Sequence, residues 1–94
     1  MINAYLYFMK LERQIQFTRM IRANGQLKEF NFLKIKNATV PTYHVDVSDE
    51  RGNRHYFSLI REESGWIIAK STLPAWVTEV QNDIASAVSQ YEAV

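Results

Sequence analysis

The chain of 94 residues contains no cysteine, two prolines and three glycines, and each shortage removes a class of function. Without thiols there is no disulfide framework and no thiolate nucleophile, and zinc would find only imidazoles and carboxylates as ligands. The three glycines each fall at an expected turn, which leaves no glycine-rich loop to cradle a phosphate. Neither a nucleophile elbow nor a Ser-His-Asp order is present. Long apolar runs are missing as well. The stretch from Met1 to Met9 has no basic flank before it and meets Lys10 and Glu12 almost at once, so it reads as neither a signal peptide nor a membrane span. A cytoplasmic protein without a membrane association is expected. Charge of one sign is also lacking: the net charge of +1 argues against a polyanion binder acting through bulk charge. Its distribution is uneven, with seven bases against two acids in residues 10–36 and no base after residue 70.

What is present is apolar residue content of 47%, enough for one small domain that buries one sheet face under a helix. The expected architecture is α+β, an antiparallel β-meander of about five strands with one C-terminal amphipathic helix packed on one sheet face. A single domain is expected over 1–94, with an apolar N-terminal segment at 1–11, the meander at 13–70 and the helix at 73–91. Residues 1–11 fit either a short strand or a helical turn.

The firmest local signal is Tyr43 to Leu59. Two alternating stretches flank Glu50, Arg51 and Gly52, which suit a three-residue loop with Gly52 in the left-handed position. Asp49 then faces Asn53, and Tyr43, Val45, Val47, His55, Phe57 and Leu59 share a core face. His44, Asp46, Ser48, Arg54, Tyr56 and Ser58 share the other.

The first hairpin leaves its register open. A three-residue loop pairing Arg22 with Gln26 would put Gln16, Thr18 and Met20 on one face with Lys28, Phe30, Phe32 and Lys34. A two-residue Asn24-Gly25 turn would instead set Phe17 against Phe32 as core. Phe30 and Phe32 share one parity while Leu33 and Ile35 share the other, which implies either a bulge or burial on both faces. Lys36 to Pro41 reads as a break, and Glu62 to Gly65 as a turn into a strand over 66–70. Thr72 or Leu73 at the cap and Pro74 in the first turn mark a helix start. Its stripe is Leu73, Val77, Val80, Ile84, Ala87, Val88 and Tyr91, with Gln81, Asn82, Ser86 and Gln90 facing outward.

Apolar surface remains beyond what one helix covers. Tyr56, Ile60, Trp66 and Ile68 form the candidate dimer or partner face, buried against a second copy in the preferred reading or under residues 1–11 in the alternative. A metal site is not expected, because the alternation sends His44 and Asp46 to one face and His55 to the other. No cofactor is expected either. Asp46 facing Tyr56 suggests a cross-strand hydrogen bond rather than an acid–base dyad. Lys28, Phe30, Phe32 and Lys34 interleave bases with aromatics, the combination that single-stranded nucleic acid uses for stacking and phosphate contact. The ordinary alternative is two core phenylalanines flanked by solvated lysines. In outline, a curved meander with one C-terminal helix is similar to PUR-type and Whirly-type single-strand binders, a likeness of shape that carries no function by itself. The expected function is a small non-enzymatic protein-interaction or structural module, homodimeric through the leftover apolar surface, with a single-strand nucleic-acid binder as the alternative.

Overall fold

The computed structural model describes residues 15–69 and 71–93. Five strands, β1 (Gln16–Ala23), β2 (Gln26–Lys34), β3 (Thr42–Ser48), β4 (Arg54–Glu62) and β5 (Gly65–Ile68), form one antiparallel sheet in sequential order. Two helical segments follow, α1 (Ala75–Thr78) and α2 (Gln81–Glu92). The expected residues 1–11, strand or helix, lie outside the described residues.

Each hairpin follows from its turn residues. Asn24 and Gly25 both have positive φ, 56° and 75°, the pair of left-handed residues that a two-residue turn needs to match strand twist. Ala23 therefore pairs with Gln26 and Phe17 with Phe32. The three-residue alternative is overturned, and with it the grouping of Gln16, Thr18 and Met20 with Lys28. The second hairpin has the expected register, with Val47 opposite His55, Val45 opposite Phe57 and Tyr43 opposite Leu59. Gly52 sits at φ 85° and donates its N–H to the Asp49 carbonyl, while the Asp49 carboxylate accepts the N–H groups of Arg51 and Asn53. The register of β2 against both neighbours is continuous, so the mixed parity of Phe32 and Leu33 reflects partial burial of both faces rather than a bulge.

α2 packs against both β5 and β1, the two edges of the sheet. In a flat sheet those edges would lie about 19 Å apart, four spacings of ~4.8 Å, whereas a helix is only ~10–12 Å across. The sheet therefore curls around the helix. Its inner face carries Ile21, Phe30, Phe32, Tyr43, Val45, Val47, Phe57, Leu59 and Trp66, which meet Val77, Ile84, Ala87 and Val88 in one buried cluster. Phe17 lies flat between Phe32 and Tyr91, with ring centres 4.5 and 4.1 Å away.

One continuous helix was the expectation, and the chain instead breaks at Glu79 and Val80. Val80 adopts φ −106° and ψ 22°, outside helical geometry, and its N–H turns to the Val77 carbonyl. Thr78 contributes by turning its hydroxyl back onto the Ala75 carbonyl, a bond that bends helices. The break preserves the apolar stripe, because Val77, Val80 and Ile84 still face the sheet on either side of it. Pro74 itself occupies the position before α1, rather than the first turn. Gln81 also departs from expectation: its Oε1 accepts the Ile68 N–H at 3.0 Å, which caps a donor on the edge strand β5.

Candidate functional site

The helix covers one face of the sheet, and the other is built by the alternate side chains of the same strands. Across its middle, Thr18, Asn31, Asp46 and Tyr56 lie directly opposite one another on β1 to β4. The Thr18 hydroxyl donates to Asn31 Oδ1 at 2.8 Å, and Asn31 Nδ2 donates to Asp46 Oδ1 at 3.0 Å. Arg54 donates to the same oxygen of Asp46. The row beside it runs Gln16, Leu33, His44, Ser58, and the next pairs Thr42 with Ile60 and Ile60 with Ile67. These rows give the outer face a hydrogen-bonded polar band, then a mixed row in which Leu33 is the apolar member, then the half-buried pair Ile60 and Ile67.

Tyr56 stands out from this surface at 70% exposure. Beside it lies a hollow of about 390 Å3, lined by Leu33, His44, Asp46, Tyr56 and Ser58, with Val45 and Phe57 beneath. Alternation explains the floor: Val45 and Phe57 send their side chains to the core, so only their backbone faces the hollow. Ser58 keeps it open, being a small side chain between Tyr56 and Ile60 on β4.

Asp46 takes Asn31 and Arg54 as partners, so the expected Asp46–Tyr56 hydrogen bond does not form and the Tyr56 ring points to solvent. Among the described residues no hydrogen bond links Asp46, His44 and Ser58 into a relay. His44 lies on this face and His55 on the inner one, so the two imidazoles do not converge. No group of three His, Asp or Glu among the described residues could hold a metal ion.

The anticipated partner face is divided by the β4–β5 register. Arg61 opposite Trp66 and Leu59 opposite Ile68 send Trp66 and Ile68 to the inner face, where Trp66 is buried and Ile68 packs on the core. Tyr56 and Ile60 remain outside, and Ile67 joins them. The residues proposed for nucleic acid, Lys28, Phe30, Phe32 and Lys34, do share a face, but it is the inner one. Phe30 and Phe32 are 0% and 1% exposed and offer no ring to a base.

Two polar clusters that no sequence pattern indicates close the ends of the core. At one end Lys28, only 7% exposed, brings its ammonium 3.3 Å from Glu50 Oε2 and 5.0 Å from the centre of the Trp76 ring. His55 meets that ring edge-on and lies 3.3 Å from Asp49. At the other end the Tyr43 hydroxyl donates to Glu92 Oε2 at 2.8 Å, and Lys34 lies 3.2 Å from the same oxygen. Burial, then the hydrogen bond to Glu92, pushes the Tyr43 hydroxyl well above its ordinary range. Burial alone would raise Glu92 too, but hydrogen bonds from Tyr43 and Lys34 and the charges of Lys34 and Arg61 hold it below its ordinary value. These clusters join β2, the β3–β4 loop and β4 to α1, and β2 and β3 to α2. They share no local spacing, so only the fold assembles them.

Among the described residues no helix is long and apolar enough to cross a membrane. Compared with family models, with curated proteins and with solved structures, the chain matches none.

Proposed function

We propose that the protein is a small non-enzymatic interaction module of the cytoplasm that associates with a second copy of itself through the outer face of the sheet. One observation carries this reading: the helix covers only the inner face, while the outer face holds Tyr56 at 70% exposure beside the half-buried Leu33, Ile60 and Ile67. Apolar side chains interspersed with an ordered polar row in this way have the make-up of a contact surface. The composition of the face fits a copy of itself. Arg22 on β1 and Arg54 on β4 stand against Glu29 on β2, Asp46 on β3 and Glu62 at the end of β4, so charges of both signs are available for pairing between two such faces, whereas a phosphate backbone would call for an excess of bases. Light scattering at micromolar concentration is expected to return two chain masses for the wild type, and one for an Ile60→Glu, Ile67→Glu variant that retains its far-ultraviolet dichroism. A wild type of one chain mass under these conditions would remove the reading.

A further inference from the structure

The hollow and the ring that stands beside it have a geometric relation that the proposed self-association can use. This inference rests on that reading and specifies how the two faces meet. A two-fold contact must be self-complementary: where residue i of one copy touches residue j of the other, j of the first also touches i of the second. A surface satisfies that demand when it carries a protrusion and a recess of matching character side by side. Tyr56 is the protrusion, the most exposed large apolar side chain among the described residues at 70%. The recess adjoins it, with a volume of about 390 Å3, near the lower end of the ~300–1,000 Å3 range that seats small ligands.

The lining suits a phenol. Leu33 supplies an apolar wall for the ring, and the backbone of Val45 and Phe57 a flat floor. At the rim stand His44, Ser58 and Asp46, which can bond a hydroxyl. Within Asp46 the two oxygens differ: Asn31 and Arg54 both donate to Oδ1, and no described residue donates to Oδ2. That oxygen is an acceptor already fixed in place by two donors to its neighbour, and a carboxyl group has room for more.

We infer that Tyr56 of each copy inserts into the hollow between Leu33, His44 and Ser58 of the other, its hydroxyl directed to Asp46 Oδ2. The partner is thus a second copy of this chain, and the recognition is a reciprocal aromatic knob in a polar-rimmed hole. Aromatic anchors seated in desolvated pockets dominate most protein contacts, so two of them account for specificity in a small interface. Arg54 and Asn31 act as positioning residues, since they set the orientation of Asp46 from within one chain.

Sedimentation equilibrium on the wild type, Tyr56→Ala, Tyr56→Phe and Ser58→Trp tests the arrangement. Removing the knob or filling the hole is expected to raise the dimer dissociation constant by about ten-fold or more, the scale of a lost anchor, and Tyr56→Phe by a smaller factor. Unchanged far-ultraviolet dichroism and thermal midpoint at low concentration identify variants that fold. Should Ser58→Trp fail to fold, the absence of native cysteine offers a second measurement. Chains carrying Tyr56→Cys are mixed with chains carrying Leu33→Cys under mild oxidation, and the mixed disulfide dimer is expected to exceed both like-with-like products. A wild-type dimer whose affinity is unmoved by Tyr56→Ala, or that gives no preference for the mixed disulfide, would overturn the knob-in-hole contact while leaving self-association in place. A wild type that stays monomeric overturns both.

Discussion

Phe17 is held between two parallel rings, Phe32 from the neighbouring strand and Tyr91 from the last turn of α2, and this stack is where the sheet edge meets the helix. Tyr43 meets Phe17 edge-on and Trp66 likewise meets Tyr43, so the ring contacts continue across the inner face. Truncating Phe32, the fully buried end of the stack, leaves a void in the core beneath Phe17. Phe32→Ala is expected to cost about 3–5 kcal/mol, read from urea unfolding. Close by, Glu92 sits in the last turn of α2, where the helix dipole disfavours a negative charge. Tyr43 and Lys34 compensate for it. Because its folded pKa lies below the ordinary 4.5, its ionised form stabilises the fold above that pH, and the contribution disappears as pH falls through the folded value. Tyr43 has the opposite sign: raised above its ordinary 10.0, it stabilises fully below that pH and loses its contribution as pH climbs toward the folded value. Unfolding free energy measured from pH 3 to 11 is expected to decline at both ends, and Glu92→Gln to flatten the acid limb. An acid limb identical in wild type and variant would show that the pair contributes nothing.

Among the elements, β5 and α2 illustrate how a short edge strand is stabilised. Four residues provide little pairing, and β5 has a neighbour on one side only. Gln81 closes the other side by accepting the Ile68 N–H, while the buried Trp66 and the partly buried Ile68 pack into the core. Gln81→Ala would leave that half-buried N–H without its partner, with an expected loss of about 1–3 kcal/mol. Hydrogen exchange gives the sharper measurement, since protection at Ile68 is expected to fall far more than protection at Leu59, which lies opposite in the interior strand β4. Equal losses at both amides would point to a global effect instead. The break between α1 and α2 belongs to this scale as well. It lets α1 place Trp76 over Lys28 and His55 while α2 runs on between the sheet edges.

For the whole molecule, the sheet is one layer thick and its own helix uses one face of it. Among the described residues nothing covers the other face; the proposed dimer covers it, and makes stability depend on mass action. The thermal midpoint is therefore expected to rise with protein concentration in the wild type, and in Tyr56→Ala to do so only at concentrations about ten-fold higher or more. A wild-type midpoint constant over a roughly hundred-fold dilution would count against association through this face.

Legibility differed from one part of the chain to another. The Tyr43–Leu59 register was readable because alternation, loop length and the Gly52 position agree, and one misplaced residue would turn every core side chain to solvent. The helical stripe was readable because burial repeats every three or four residues, yet that same repeat hid the break at Val80. The first hairpin was ambiguous in sequence, since Asn24-Gly25 fits two loop lengths; pairing of Phe17 with Phe32 under the helix selects one. That choice turned Phe30 and Phe32 from a possible stacking surface into core. Trp66 and Ile68 were misplaced for a related reason, as a short strand apolar on both parities carries no signal of which face is inside. The sequence by itself determined the succession of strands, the turn of the second hairpin and the apolar stripe, all of which rest on patterns local to the chain. Only the tertiary structure decided which face of the sheet the helix occupies, and hence that Tyr56 stands exposed beside its hollow, because burial depends on what lies across the layer and not on neighbours along the chain.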